Sequence, residues 1–329
     1  MKAPALAVLR RLSDGGFHSG ERMAEELGCS RASVCTRIQS LAEHYHLQID
    51  RVRGQGYRLL TPIDWLDASA IQPGLPAGLR VEVVDETGST NSDVLARAAQ
   101  GEASGLVRLA EVQTAGRGRL GRRWQTPLGS GLTFSLLWRF DGGLERMSGL
   151  SLAVGLAVVE ALEACGSSGV KLKWPNDILH DGAKLGGILV ELHNELRSDV
   201  FGEANAAMAV IGIGLNLAMP AREGEKIDQA WAELRHINPE LVDRNQLAAR
   251  MIVHLQQALH TFEQQGLASF VDDWNRLDHF AGRPVRLLMG DQEIRGIARG
   301  IDDRGALRLE TGEGVKFYLG GELSLRRGD

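Results

Sequence analysis

Gly116-Arg117-Gly118-Arg119-Leu120-Gly121-Arg122-Arg123-Trp124 is followed by Gln125-Thr126-Pro127-Leu128-Gly129-Ser130-Gly131 and then by Leu132-Thr133-Phe134-Ser135-Leu136-Leu137-Trp138. What stands behind the glycines decides the fold. Gly116, Gly118 and Gly121 satisfy G-x-G-x-x-G, which holds a dinucleotide only where a helix opens behind it, because the pyrophosphate rests on the helix N-terminus. Here a turn follows, then a buried strand rich in aliphatic and aromatic residues. That order excludes a Rossmann fold. The loop must act through its own side chains, and four of them are arginines: 117, 119, 122 and 123. Two like charges about 4 Å apart at partial burial repel by roughly 4 kcal/mol. The segment is therefore expected to stay open until an anion draws the guanidinium forks together, and such forks fit carboxylate and phosphate oxygens. A solvated basic loop is the plainer reading of these residues taken alone.

Working outward, 329 residues allow two or three domains with a sizeable core. Hydrophobic residues at 43% and charged residues at 24% are ordinary for a globular chain, and the net charge of -5 confines any nucleic-acid contact to a local patch. Cys29, Cys35 and Cys165 form no CxxC, as suits a reducing compartment. The nine histidines suggest no dedicated transition-metal site. The apolar run before Arg10 and Arg11 is too short for a signal sequence, and no long apolar span occurs elsewhere. A cytoplasmic protein without a membrane partner is expected.

The first sixty residues carry that local patch. Residues 3 to 12 predict a short amphipathic helix ended by Asp14-Gly15-Gly16; Ser19 caps a second from Glu21 to Leu27, and Ser30 a third to about His44. Val34, Ile38 and Leu41 fall on one face of the third helix. Arg31, Ser33, Arg37 and Ser40 lie on the other side, with Thr36 mid-helix. Leu47 to Leu60 then alternates as a hairpin around Gly54-Gln55-Gly56, carrying Arg51 and Arg53. Helix, tight turn, helix and a basic hairpin make a winged helix-turn-helix, with arginines for phosphates and the third helix for bases. Thr61-Pro62 is the expected boundary.

Past it, strand 81–85 leads into Ser89-Thr90-Asn91, which reads as an N-cap cluster for a helix over 91–100, or as three short polar groups that hold a polar ligand. Strand 106–112 delivers Gln113 to the arginine loop, and 149–165 is apolar nearly all round, a central buried helix. Lys171-Leu172-Lys173-Trp174-Pro175-Asn176-Asp177 ends a strand at Trp-Pro, and Asp181-Gly182 turns the chain into Lys184-Leu185-Gly186-Gly187-Ile188-Leu189-Val190-Glu191-Leu192. Gly186 and Gly187 weaken that strand and are expected to admit a ligand against the backbone, with Lys184 as a neutralising cation. Asn216 closes a further buried strand, as a turn residue or a ligand. Asp243 and Gln246 open a long helix that Gly266 closes. From Gly282 the chain changes to short alternating strands at 284–289, 294–301, 306–310 and 315–319, a small closed barrel of SH3 size.

Ser89-Thr90-Asn91, Gln113, the arginine loop, Lys173-Trp174-Pro175-Asn176-Asp177, Lys184 to Glu191 and the final Gly320-Gly321-Glu322-Leu323-Ser324-Leu325-Arg326 occur in the order and spacing of one family. Over essentially its whole length the chain resembles the bacterial bifunctional biotin–protein ligases and biotin operon repressors. The resemblance implies an α+β multidomain protein: residues 1–62 a winged helix-turn-helix, 63–280 a mixed α/β catalytic domain of biotin/lipoate-ligase type, and 281–329 an SH3-like barrel. It implies that biotin and ATP form biotinyl-5'-AMP, that the biotin passes to a lysine of the biotin carboxyl carrier protein of acetyl-CoA carboxylase, and that Mg2+ is held through phosphates. It implies as well a homodimer, formed on binding biotinyl-5'-AMP, that represses transcription at operator DNA. Carried over position by position, Ser89, Thr90, Asn91, Gln113, Gly116, Arg117, Gly118, Arg119, Lys184, Gly186 and Gly187 are expected around biotin. Arg122, Trp124, Lys173, Asn176 and Asn216 are expected around the nucleotide. Arg119, Lys184 and Asp177 are the expected catalytic set, Asp177 orienting or deprotonating the carrier lysine. A ligase with a non-regulatory winged helix, or a lipoyl-type acyl ligase on the same fold, are the alternatives.

Overall fold

Two serines start the first unit. In the computed structural model, which describes residues 4–199, 202–219, 224, 229–240, 243–320 and 323–328, Ser19 accepts from the N–H groups of Glu21 and Arg22 and Ser30 from that of Ser33. Helices α1 (Pro4–Leu12), α2 (Gly20–Glu26) and α3 (Arg31–His44) bury Leu9, Leu12, Met23, Val34, Ile38 and Leu41 together. Strands β1 (Ile49–Val52) and β2 (Gly56–Leu59) pair antiparallel as the wing. Gly56, at φ 108°, is required there: a Cβ would lie 2.0 Å from the His18 carbonyl oxygen, which accepts the Tyr57 N–H. This unit comprises Met1–Leu66 with Pro127–Gly129; Asp67–Thr126 with Ser130–Asp329 form the second, and the C-terminal strands are not divided from it. Ile63 and Leu66 are buried, so the first unit runs past Thr61-Pro62.

The second unit opens with α4 (Ala68–Ile71) and is built on seven strands: β3 (Arg80–Thr87), β4 (Leu106–Gln113), β5 (Gly131–Asp141), β6 (Val170–Lys173), β7 (Asp177–His180), β8 (Ala183–Asp199) and β9 (Gly202–Asn216). Their order is β3-β4-β5-β9-β8-β7-β6, with β3 and β4 parallel and the other neighbours antiparallel. Helix α5 (Thr90–Ala98) makes the crossover that a parallel pair requires. It buries Val94 and Ala98 against Leu137, Met208 and Val210. Trp138 and Phe140 alternate to the opposite face, where they meet His260 and Phe262 of the long helix α8 (Arg244–Gln265). On that face α6 (Leu150–Ala164) is buried nearly all round, as its apolar sequence requires. Short helices α7 (Leu234–Ile237) and α9 (Val271–Leu277) complete the set.

The last five strands, β10 (Pro284–Met289), β11 (Gln292–Ile301), β12 (Leu307–Thr311), β13 (Gly314–Tyr318) and β14 (Leu323–Arg327), form an antiparallel sheet in the order β13-β12-β11-β10-β14. The sheet has the expected size. Among the described residues no ladder joins β13 to β14, so the ring closure expected from the sequence is absent from these pairings. The fifth strand comes from a segment that the pattern of alternation does not mark; it pairs with β10 from Val285↔Arg327 to Met289↔Leu323. No helix among the described residues is long and apolar enough to cross a membrane.

Candidate active site

The arginine loop leaves the sheet at Gln113 and returns at Gly131. Its neck is closed by the Trp124 N–H, which donates to the Gly116 carbonyl at 2.9 Å, and its tip by the Gly118 N–H on Arg122 O at 2.8 Å. A single 3₁₀ turn, Arg119–Gly121, lies between, with Leu120 at φ 57°. No α-helix stands behind it, so no helix dipole assists an anion. Gly116 serves the neck rather than a ligand: a Cβ there would lie 2.4 Å from Trp124 O, and Gly116 does not line the cleft.

Beneath the loop the polar residues are joined end to end. Ser89 is the N-cap of α5 but makes no side-chain cap hydrogen bond, contrary to the capping reading. Instead the Thr90 N–H donates to Gln113 Oε1 at 2.7 Å, and the Thr90 hydroxyl lies 3.1 Å from the same oxygen. The buried Ser135 hydroxyl lies 2.7 Å from Thr90 Oγ1 and donates to Asn91 Oδ1 at 2.5 Å. Asn91 Nδ2 then donates to Glu191 Oε2 at 2.8 Å and to Leu189 O at 3.3 Å, and Arg117 Nη2 donates to that same Glu191 oxygen at 2.7 Å. Asn91 thus fixes the floor, and with Ser89, Thr90 and Gln113 it lines the cleft.

The two glycines of β8 part company. Gly187 lines the cleft; a Cβ there would sit 3.7 Å from the Trp124 ring. Gly186 faces the other way, where a Cβ would come within 2.5 Å of Leu215 Cδ2, so it serves strand packing and the ligand role expected of it is corrected. The glycines that admit the floor and the lid lie on β9 instead. A Cβ at Gly212 would lie 2.1 Å from Asn91 Oδ1, and one at Gly214 would lie 2.3 Å from the Trp124 ring. Alternate glycines in an apolar strand are the signal that could have found them.

On the far wall Asp177 accepts Lys173 Nζ at 3.0 Å and Lys184 Nζ at 2.6 Å. Burial pushes the Asp177 carboxyl up, but the two ammonium groups outweigh it and hold the group below the ordinary carboxylate range. Burial pulls the Lys173 ammonium below the usual lysine range, with Asp177 opposing. A carboxylate held ionised between two cations is a weak proton acceptor, so deprotonation of a carrier lysine does not suit Asp177; fixing Lys184 does. Arg119 Nη1 donates to Asn176 Oδ1 at 3.1 Å, and burial also lowers its guanidinium, with Asp177 opposing and Arg122 adding to the effect. Asn176 Nδ2 donates to Ile188 O at 2.8 Å, which fixes Asn176 against β8. Asn216 is buried with its amide on the carbonyls of Lys184 and Ala232 at 3.2 Å each, a backbone brace rather than an open ligand group. From β14, Leu325 lines the cleft, and Arg326 lies beside Arg122, Lys173 and Asp177 in the adjoining basic hollow that Trp124 and Trp231 also line. Arg326 went unassigned in the sequence because only strand pairing brings it there.

Three family models match: the HTH domain over residues 5–58, the biotin/lipoate A/B protein ligase family over 83–216, and the biotin protein ligase C terminal domain over 280–326. The bifunctional ligase/repressor BirA of Salmonella typhimurium is 44% identical over 98% of this chain and 97% of its own. The Escherichia coli protein of that name is 43% identical over the same shares. The chain belongs to the bifunctional ligase/repressor family. Among solved structures, the biotin protein ligase from Aquifex aeolicus in complex with biotin and ATP superposes with a TM-score of 0.62 at 29% identity, covering 75% of this chain and 99% of that one.

For a member of this family the first unit is the DNA-reading part, and its residues divide by what they already hold. Arg31 pairs with Glu21 at 2.8 Å, the Ser33 hydroxyl lies 2.9 Å from that of the cap Ser30, and Arg37 Nη1 points at Cys29 Sγ at 3.7 Å. Thr36 and Ser40, four apart on α3, are exposed side by side, although Thr36 Oγ1 donates back to Ala32 O at 3.1 Å. Arg51 and Arg53 are exposed on the wing, Arg51 lying over the Tyr57 ring at 5.7 Å.

Proposed function

We propose that the cleft joins biotin to ATP as biotinyl-5'-AMP, releasing pyrophosphate, and that a lysine amine of the biotin carboxyl carrier protein then attacks the mixed anhydride and releases AMP. The observation that carries this reading is the wall of cations around one buried, doubly paired carboxylate: Lys173 and Lys184 on Asp177, with Arg119, Arg122 and Arg326 beside them. Attack of one anion on another calls for neutralisation and alignment, and this wall supplies both without a protein nucleophile. Ser89, Thr90 and Gln113 offer the uncharged polar floor for biotin, and Trp124 the ring for adenine. Magnesium enters on the phosphates. Asp177, the acidic side chain lining the cleft, is already held by two lysines, and no group of three or more His, Cys, Asp or Glu that could hold a metal is present among the described residues.

Biotinyl-5'-AMP favours a homodimer, and the dimer reads operator DNA as a repressor. Support for the dimer is a sheet edge that is open among the described residues. β7 pairs with β8 only from Ala183 to Gly187, whereas β9 pairs with it from Gly186 to Asp199. Asn176 closes the edge at Ile188, accepting the Ile188 N–H at 3.0 Å. By alternation the main-chain groups of Val190, Leu192 and Asn194 then face outward, a complement for a second copy about a two-fold axis. Asn176 touches both this edge and Arg119, so ligand and edge share a residue.

The test is transfer of labelled biotin to a carrier domain with ATP, beside labelled lipoate. Biotin should transfer and lipoate should not. Arg119→Ala and Lys184→Ala should each cut biotin-dependent pyrophosphate release by about a hundredfold or more. Near-normal release in both variants would overturn the assignment.

A further inference from the structure

We propose that Glu191 is a positioning residue, the fixed latch on which Arg117 closes the arginine loop over the cleft. The inference rests on the reading of that cleft as the biotinyl-5'-AMP site. Glu191 stands on β8, on the floor side of the sheet. One of its oxygens, Oε2, takes both Asn91 Nδ2 at 2.8 Å and Arg117 Nη2 at 2.7 Å. Asn91 is itself 4% exposed, oriented by the Ser135 hydroxyl at 2.5 Å, and seated where Gly212 leaves room for it. The carboxylate is therefore aimed by buried partners, and the loop comes to it.

A carboxylate beside a site for anionic ligands is a liability unless its charge is cancelled. Arg117 cancels it, and the loop gains a closed position that does not depend on gathering four like charges around a ligand. The arginines then divide the work. Arg117 engages the floor through Glu191, while Arg119 is drawn to Asn176 on the other wall. The start of the loop is tied down as well, through Gln113 on Thr90. With side chains 42% and 23% exposed, the Arg117–Glu191 pair biases the loop toward closure without locking it.

Glu191→Gln keeps an oxygen for the Asn91 amide and removes the charge that Arg117 needs. In the ligand-free full-length protein, trypsin should nick the 114–130 loop roughly two- to fivefold faster in the variant, the range open to a half-exposed ion pair. Release of preformed biotinyl-5'-AMP should quicken by a similar factor. The KM for biotin should rise while kcat for adenylation holds, a split that loss of fold would not give. Arg117→Gln should speed adenylate release as much, and the double variant no further. Either rate left unchanged in Glu191→Gln, or double-variant effects that multiply, would overturn the latch. Arg117→Gln, on an exposed loop, carries the test if Glu191→Gln fails to fold. If the wild-type protein forms no adenylate from biotin and ATP, it is the reading of the cleft that falls, and the nicking comparison judges the latch separately.

Discussion

Asp278 lies at the end of α9 with one oxygen accepting the Phe280 N–H at 2.9 Å and the other, Oδ2, buried without a partner among the described residues. Burial pushes its carboxyl up to about 6, against the pull of that N–H and of Arg283. The sign follows from linkage. The folded chain keeps a proton on Asp278 that the unfolded chain has lost, so the stabilisation is full below pH 4 and disappears as pH rises through 6, a change of up to about 3 kcal/mol. Asp278→Asn can still accept from Phe280 and has no charge to bury. Thermal melts at pH 4.5 and pH 7.5 should show the variant gaining on its parent by up to about 2 kcal/mol between the two, since part of the loss already falls below pH 4.5; a gap that stays constant rejects the account. No sequence pattern announces the role of Glu191, because it owes that role to Asn91 and Arg117, both far away along the chain. Ser89, Gln113, Arg119 and Lys184 were legible because they sit in short motifs whose chemistry is local. Gly186 was misread for the same reason: a bare strand looks alike on both faces until its partner strand is known.

Arg244, the first residue of α8, reaches across to the two strands from which the arginine loop springs. Nη1 meets Glu111 of β4 at 2.9 Å and Nη2 donates to Gly131 O, at the start of β5, at 2.8 Å. Glu111 is fully buried. Removing the guanidinium strips a buried carboxylate of that cation, a class of change that costs about 3–5 kcal/mol. Arg244→Met should lower the melting temperature by roughly 10 °C in a unit of this size. A loss below about 2 °C would show that the clamp matters little. Most elements were readable at this scale, since caps such as Ser19, Ser30 and Asp243 and the 149–165 apolar run fix helices locally. The strands were less complete. β8 runs on to Asp199 through a polar stretch that alternation does not flag, and β14 exists because β10 offers it an edge. Strand formation is set by partners more than by intrinsic preference.

For the whole molecule, we propose that arginines of the wing hold phosphates while side chains of α3 read bases. Arg51→Ala combined with Arg53→Ala should weaken binding to duplex DNA across sequences and make the log–log salt slope shallower by about one for each phosphate no longer neutralised. Thr36→Ala and Ser40→Ala should instead alter the preference among sequences. An unchanged slope in the double arginine variant would remove the wing from the interface.

The cleft takes one wall from Ser89 and another from Leu325, and the adjoining hollow is lined by Arg326. Trp174, at the turn that presents Asn176 and Asp177, is likewise pinned from late in the chain, its indole N–H donating to Gly305 O at 3.2 Å. Ribosomes deliver the N-terminus first, and domains fold as they emerge. The winged unit, whose residues lie at the start of the chain apart from 127–129, is available while the remainder is still being made. The cleft is complete only once Leu325 has been made. A nascent chain that has not yet reached Leu325 and Arg326 therefore lacks part of the cleft and of the hollow beside it.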